Sequence, residues 1–328
     1  MANFQLDDDF LAAIKDLIQK EQDKKLKKQL HELHYADIAE ISEQLTLEEA
    51  IYLVKLLDSE KTADALTEVD EDFREKILRQ LSAKEIAEEL EELDTDDAAD
   101  IIAELPEERQ EKVLSQIEDT EHLKDIRELL KYEEDSAGGL MAKELVKVHE
   151  DLSVLKCVNS MRKQAEEVTR VHSIYVVNAK NQLLGRLSLK DLLTASSKAI
   201  VKDIYIPKVD FVYVDTDVEE VARIMSKYDL EAIPVVNNKK ELLGRITIDD
   251  IVDVIKEEAD KDYQLAAGIS NDVEADDTIL ELTRARLPWL FLGLLGGLGS
   301  VFILKDFETI MNQPQLRSLF FYTPLIAA

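Results

Sequence analysis

One stretch of the sequence occurs twice at a fixed offset. IYVVNAKNQLLGRLSLKDLL (Ile174–Leu193) aligns with IPVVNNKKELLGRITIDDIV (Ile233–Val252), every position shifted by 59. Each copy runs from a β-branched apolar segment through a polar turn to a second apolar segment, then Gly-Arg-x-Ser/Thr-x-x-Asp at the start of a helical pattern. Upstream, VLKCVNSMRK and EVARIMSKYD supply a helix in each copy, with Met161 matching Met225, and the first copy carries five extra residues before its strand. A chain built this way holds two equivalent β-α-β-β-α units.

The segment before them is electrostatically distinct. Residues 1–136 hold 41 acidic and 17 basic side chains, whereas the remaining 192 residues hold 29 and 23. This acidic part repeats as well. Ala39-Glu40, Ala63-Asp64 and Ala87-Glu88 are spaced by 24, and each Ala is followed six residues later by an apolar residue, Leu45, Val69 and Leu93. Ala99-Asp100 with Leu105 repeats the pattern after 12. Apolar residues fall at helical spacing, and Thr46, Ser82, Asp94 or Asp96 are candidate N-caps. A 24-residue unit of two short helices predicts an α-solenoid.

The C-terminal part is apolar. Leu287–Leu304 has 18 residues without a charge, which covers roughly 27 Å as a helix, the minimum for a membrane span. Trp289 stands near one end, Arg284 and Arg286 precede the run, and four glycines suit close helix packing. The positive-inside rule then places residues 1–286 in the cytoplasm. A buried core helix is the other reading of the run. Residues 318–328 begin a second apolar stretch, inside which the sequence stops. The N-terminus carries no apolar stretch of a signal peptide.

Other classes find little support. A formal net charge of −30 opposes nucleic-acid binding, since phosphate contacts need Lys and Arg. A single cysteine, Cys157, excludes an internal disulfide and a cysteine-rich zinc site. No nucleophile elbow, Walker loop or dinucleotide fingerprint appears, so no catalysis is expected. His31 and His34 are three apart but lack a third ligand, and Lys24–Lys28 reads as a solvated face or a membrane-surface contact.

The duplicated units resemble a tandem CBS pair, over about residues 138–256. The order of parts, an acidic helical repeat domain, YEEDSAGGLM (Tyr132–Met141), a CBS pair, an acidic helix and then apolar helices, resembles the MgtE family of magnesium channels and transporters. The resemblance is carried by Asp96-Asp-Ala-Ala-Asp100, Asp135-Ser-Ala-Gly-Gly-Leu-Met141 and Thr247-Ile-Asp-Asp-Ile-Val-Asp253. It implies the following domains: 1–136 α-solenoid, 137–200 and 201–256 the two CBS repeats, 257–286 a connecting and plug region, 287–304 a first transmembrane helix, and 318–328 the start of a second. It further implies a homodimer formed through the CBS domains, a multi-pass plasma-membrane protein, and a pore that closes when cytosolic Mg²⁺ is plentiful.

The Mg²⁺ ligands the resemblance implies are Asp64, Asp96 and Asp100 on the helical domain, and Gly139, Asp217, Glu219, Ser226 and Asp229 on the CBS side. On the connecting helix they are Asp250, Asp253, Glu258 and Asp262; one family position for an acid falls on Lys261. Hard carboxylate and carbonyl oxygens suit Mg²⁺. CBS pairs also bind adenine nucleotides such as ATP, which would involve Gly185, Ser188, Asp191, Gly244, Thr247 and Asp250; alternatively these residues only shape the strand-to-helix turns. Three readings stand at this point: the cytosolic gate of a magnesium channel, a CBS nucleotide sensor on another transporter, and an acidic scaffold that docks a protein.

Overall fold

The computed structural model describes residues 6–165, 168, 170–269 and 279–306. They fall into two units, Met1–Ile251 and Val252–Ala328. The first unit begins with short helices: α1 (Asp8–Gln19), α2 (Asp23–His31), α3 (Tyr35–Glu43), α4 (Leu47–Leu56) and α5 (Ser59–Glu68). There follow α6 (Glu71–Gln80), α7 (Ala83–Leu90), α8 (Thr95–Ala103), α9 (Glu107–Leu114) and α10 (Thr120–Leu129).

Their starts are set by side-chain caps. Thr46 and Ser82 each close a capping box, with Glu49 and Glu85. Asp70 and Asp119 accept from the first-turn N–H groups of α6 and α10. Ala39, Ala63 and Ala87 are buried on α3, α5 and α7, and Leu45, Val69 and Leu93 are buried in the turns that follow. Helix α3 packs on α5, α5 on α7 and α7 on α9, while α4 packs on α6 and α8 on α10. This stacking of alternate helices is the solenoid predicted from the 24-residue spacing. Cations from one turn of the solenoid cover the carbonyl ends of another: Lys61 donates to the Leu33 carbonyl at 3.2 Å, Arg74 to Leu66, Thr67 and Val69, each at 3.1 Å, and Arg109 to Leu81 at 2.7 Å.

Two three-stranded sheets follow. In the first, β1 (Val146–His149) pairs parallel with β2 (Ile174–Val177) across α11 (Val154–Gln164), and β2 pairs antiparallel with β3 (Leu183–Leu187), which leads into α12 (Leu189–Thr194). In the second, β4 (Val212–Tyr213), α13 (Val218–Tyr228), β5 (Ala232–Val236) and β6 (Leu242–Thr247) repeat the pattern, and α14 (Ile248–Ala266) follows. The offset of 59 is kept in the register. Val176 faces Gly185 as Val235 faces Gly244, and both sheets have an irregularity after that pair. The hairpin residues Asn181 and Lys240 both have φ near +60°.

The two repeats exchange their lead-in segments. Ala142, before the first sheet, bridges to Arg245 of the second, and Ile206, before the second, bridges to Arg186 of the first. Ala142 and Ile206 are 64 apart, longer than 59 by the five inserted residues. Each strap crosses a glycine. A Cβ on Gly185 would lie 2.1 Å from the Ile206 carbonyl, and one on Gly244 would lie 2.6 Å from that of Ala142.

The second unit holds α14 from Val252 onward and α15 (Ile279–Asp306). Helix α15 runs unbroken through Arg286, so the expected plug segment and the expected span share one helix. Among the described residues no helix is long and apolar enough to cross a membrane, and the span expected over 287–304 extends past them. Arg284 and Arg286 stand at one end of the run, and side chains at its other end, 301, 303 and 304, lie outside the described residues. The described part is apolar on every side, with Leu290, Phe291, Leu292, Leu294 and Leu295 all exposed. The second apolar stretch, 318–328, lies outside the described residues.

Candidate functional site

The start of α8 meets the strap that leads into β1. Asp94 occupies the N-cap position of α8, as expected, but its carboxylate makes no capping bond. It faces Arg245 of β6 instead, with Nη2 3.3 Å from Oδ2. Arg245 is buried, and its Nε donates to the Glu144 carbonyl. Thr95, the next residue, donates to the Glu144 carboxylate from its N–H at 3.2 Å and its hydroxyl at 2.8 Å. The Thr95 hydroxyl oxygen also accepts from the Lys143 N–H at 2.9 Å, and the Lys143 ammonium pairs with Glu128 of α10 at 2.8 Å. These bonds hold the helical domain to the CBS pair.

They also gather carboxylates. Asp94, Asp96 and Glu144 each offer an oxygen within 4.8 Å of the others. Asp96 is buried, and Asp94 and Glu144 are half-buried. Asp250 approaches from the start of α14. Its Oδ2 accepts from the Thr247 N–H at 2.9 Å and the Thr247 hydroxyl at 2.8 Å.

The titration of the group reports too little positive charge. Burial, then Asp97 and Asp250, hold the Asp96 carboxyl well above the usual range. Burial and Glu144 push Asp94 to about 6 against the opposing pull of Arg245. Asp97 rises to about 7 through burial and Asp250, and Asp100 to about 7 through burial, Glu134 and Glu104. Asp250 rises through burial, although the Thr247 bonds pull it down. Asp64, raised by burial and Glu60, is felt by Asp97. Buried carboxylates of this kind stay ionised only when a cation joins them.

Of the residues expected from the sequence, the structure thus brings Asp96 and Asp250 together, with Asp64 at the margin and Asp100 exposed and, among charges, influenced chiefly by Glu134 and Glu104. Others of the first unit it places elsewhere. Asp217 caps α13, accepting from the Glu219 N–H at 2.9 Å, and its backbone bridges to Ser136, whose carbonyl accepts from the Gly139 N–H. Glu219 and Ser226 are exposed, and Asp229 ends α13 in a left-handed conformation. In the second unit Asp253 pairs with Lys256 at 2.6 Å, Glu258 pairs with Lys261 at 3.1 Å, and Asp262 is exposed.

Asp94, Asp97, Glu144 and Arg245 were not expected. Asp94 has the sequence signature of a cap, and Asp97 lies inside the quoted Asp96–Asp100 motif. Glu144 has no local signal at all, because a fold spanning 49 residues brings it to Thr95.

The nucleotide positions have structural duties of their own. Gly185 and Gly244 pass under the straps, Ser188 caps α12, and Thr247 closes on Asp250. Asp191 is half-buried in the first turn of α12. Beside Arg245 is a small cleft walled by Glu144, Val168, Arg170, His172 and Tyr175. The Tyr175 hydroxyl is buried without a hydrogen-bond partner, and burial holds its pKa up. An orphaned donor next to an arginine suits a polar ligand.

Comparison with known proteins agrees with this arrangement. The MgtE intracellular N domain matches residues 33–135, and the CBS domain matches 137–198 and 201–257. The magnesium transporter MgtE of Thermus thermophilus is 38% identical over 204 residues, 62% of this chain and 45% of that protein. That of Bacillus subtilis is 35% identical over 204 residues, with the same shares covered. The chain therefore spans about half the length of these curated relatives. The crystal structure of the cytosolic domain of the Mg²⁺ channel MgtE in complex with ATP superposes with a TM-score of 0.70 at 34% identity, over 74% of this chain and 99% of that one. The soluble part of a magnesium transporter superposes with a TM-score of 0.68 at 29% identity, over 76% and 98%. With both domain types in order and a solved MgtE cytosolic domain covered almost end to end, the chain belongs to the MgtE family.

Proposed function

We propose that this chain is the magnesium-sensing regulatory part of an MgtE-type transporter, in which Mg²⁺ draws the acidic helical domain onto the CBS pair and closes the pore when the ion is plentiful. The observation that carries this is the meeting of Asp94 and Asp96 with Glu144, beside Asp250. Two carboxylates about 5 Å apart repel by about 3 kcal/mol at an effective dielectric of 20. A cation between them turns that repulsion into bridging. The donor set fits Mg²⁺, whose octahedron places oxygens about 3 to 4.2 Å apart. Carboxylate oxygens within 4.8 Å close onto such an ion by a small movement or through its waters. Preferential binding to the packed arrangement then shifts the population toward it.

Calorimetric titration of MgCl₂ tests this reading. Asp96→Asn and Glu144→Gln should each weaken or remove at least one site, and titrations equal to wild type would exclude the site.

The rest of the family's organisation follows as part of the same proposal. The protein is a homodimer through the CBS pair, supported by the exposed apolar residues Leu189 and Leu193 on α12 and Ile248 on α14. It resides in the plasma membrane as a multi-pass protein with residues 1–286 in the cytoplasm, and it catalyses no reaction. ATP is a second ligand, supported by the orphaned Tyr175 hydroxyl beside Arg245 and by a neighbour solved with ATP.

A further inference from the structure

The most basic stretch of the chain lies within its most acidic part. Residues 24–28 read Lys-Lys-Leu-Lys-Lys and form most of α2. Leu26 and Leu30 are fully buried, which turns the opposite side of the helix outward. Lys24, Lys27, Lys28 and His31 recur along that side at spacings of three and four. Between it and the start of α5 is a cavity of about 330 Å³, lined by Lys27, Lys28, His31 and Lys61 and by the carboxylates of Glu32 and Asp58.

The fold engages these cations unequally. Lys61 is fixed by donating to the His31 and Leu33 carbonyls at the end of α2. Lys27 makes one loose pair with Asp58 at 3.6 Å, both side chains being exposed, a pairing of little energetic weight. The Lys28 and His31 side chains have no hydrogen bond or ion pair among the described residues. Asp58 sits at the N-cap of α5 without making a side-chain capping bond, so the positive end of that helix stands uncapped at the cavity wall.

We propose that this cavity binds a small, multiply charged phosphate, such as pyrophosphate or a phosphate monoester. Its volume is at the lower end of the range for small-molecule sites, about 300–1,000 Å³. Lys28, His31 and Lys61 donate to the phosphate oxygens, and Lys27 joins them by leaving Asp58. Glu32 and Asp58 oppose the anion, which sets a direction for substitution at Asp58. The site shares no residue with the Asp94–Asp96–Glu144 group, so it stands or falls separately from magnesium sensing.

The test is calorimetric titration of the full chain in detergent, without divalent cations, using inorganic pyrophosphate as the probe. Lys28→Gln combined with His31→Gln should weaken binding about 10-fold, and Asp58→Asn should tighten it about 3-fold. All three positions are exposed, and both variants should keep the wild-type response to MgCl₂. Glycerophosphoglycerol, a soluble singly charged lipid headgroup, should bind at least about 10-fold more weakly than pyrophosphate. No pyrophosphate binding, or binding indifferent to the Lys28/His31 and Asp58 changes, overturns the proposal. Equal binding of the headgroup overturns the assignment to a free phosphate.

Discussion

Arg245 and Asp94 are 151 residues apart in the chain, yet the guanidinium of one lies 3.3 Å from the carboxylate of the other. The contact joins the last strand of the second CBS repeat to the N-cap of α8. It supplies a fixed positive charge to a group of carboxylates that otherwise repel.

Removing that charge should be costly. Arg245→Met leaves the half-buried Asp94 without its cation, which costs about 2–4 kcal/mol and lowers the melting temperature by roughly 4–12 °C. MgCl₂ should recover more stability in this variant than in wild type, because the ion then replaces the missing guanidinium. Scanning calorimetry with and without MgCl₂ measures both effects. An unchanged melting temperature would mean that the contact carries no weight.

The raised carboxyls make stability depend on pH. Asp94 titrates near 6, and Asp97 and Asp100 near 7, against 3.8 for the free side chain. Between pH 4 and 7 the folded protein holds protons that the unfolded chain has released, so unfolding free energy falls as pH rises through this window. Without Mg²⁺ the protein should melt at a higher temperature at pH 5.5 than at pH 8. Saturating Mg²⁺ should shrink the difference, because the ion competes with these protons. Melting curves at the two pH values decide it, and greater stability at pH 8 in ion-free buffer would contradict the burial of these groups.

The strap glycines separate packing from sensing. Ala at Gly185 drives a methyl group into the Ile206 carbonyl, and Ala at Gly244 drives one into the Ala142 carbonyl and the Met141 sulfur. Each should cost about 1–3 kcal/mol. Only Gly244→Ala should also weaken the Mg²⁺ response, since the 141–142 strap leads directly to Glu144. Chemical denaturation paired with Mg²⁺ titration reads both quantities, and equal Mg²⁺ responses would place the strap outside the sensing path.

Much of the fold was legible because it is periodic. The 59-residue offset reappears as Val176–Gly185 and Val235–Gly244, and the buried Ala39, Ala63 and Ala87 mark the stacked helices. Asp96 and Asp250 were legible through family motifs that lie on helices. Glu144 was not, because its role depends on a strap crossing to the far repeat. Asp94 was misleading because a carboxylate at an N-cap usually serves the helix, and here Arg245 holds it instead.

The unexpected Glu144 should be separable from the expected carboxylates. Glu144→Gln keeps the acceptor for Thr95 but removes one charge from the group. It should weaken Mg²⁺ binding about 10-fold or more while changing stability in ion-free buffer by less than about 1 kcal/mol. Calorimetric titration together with melting curves checks this, and unaltered affinity would remove Glu144 from the site.

Small-angle X-ray scattering of residues 1–266, titrated with MgCl₂ against NaCl of matched ionic strength, tests magnesium bridging most directly. The radius of gyration should fall with MgCl₂ alone, and the fall should disappear in Asp96→Asn/Asp250→Asn. A radius that stays constant, or that falls equally with both salts, would contradict magnesium bridging between the helical domain and the CBS pair.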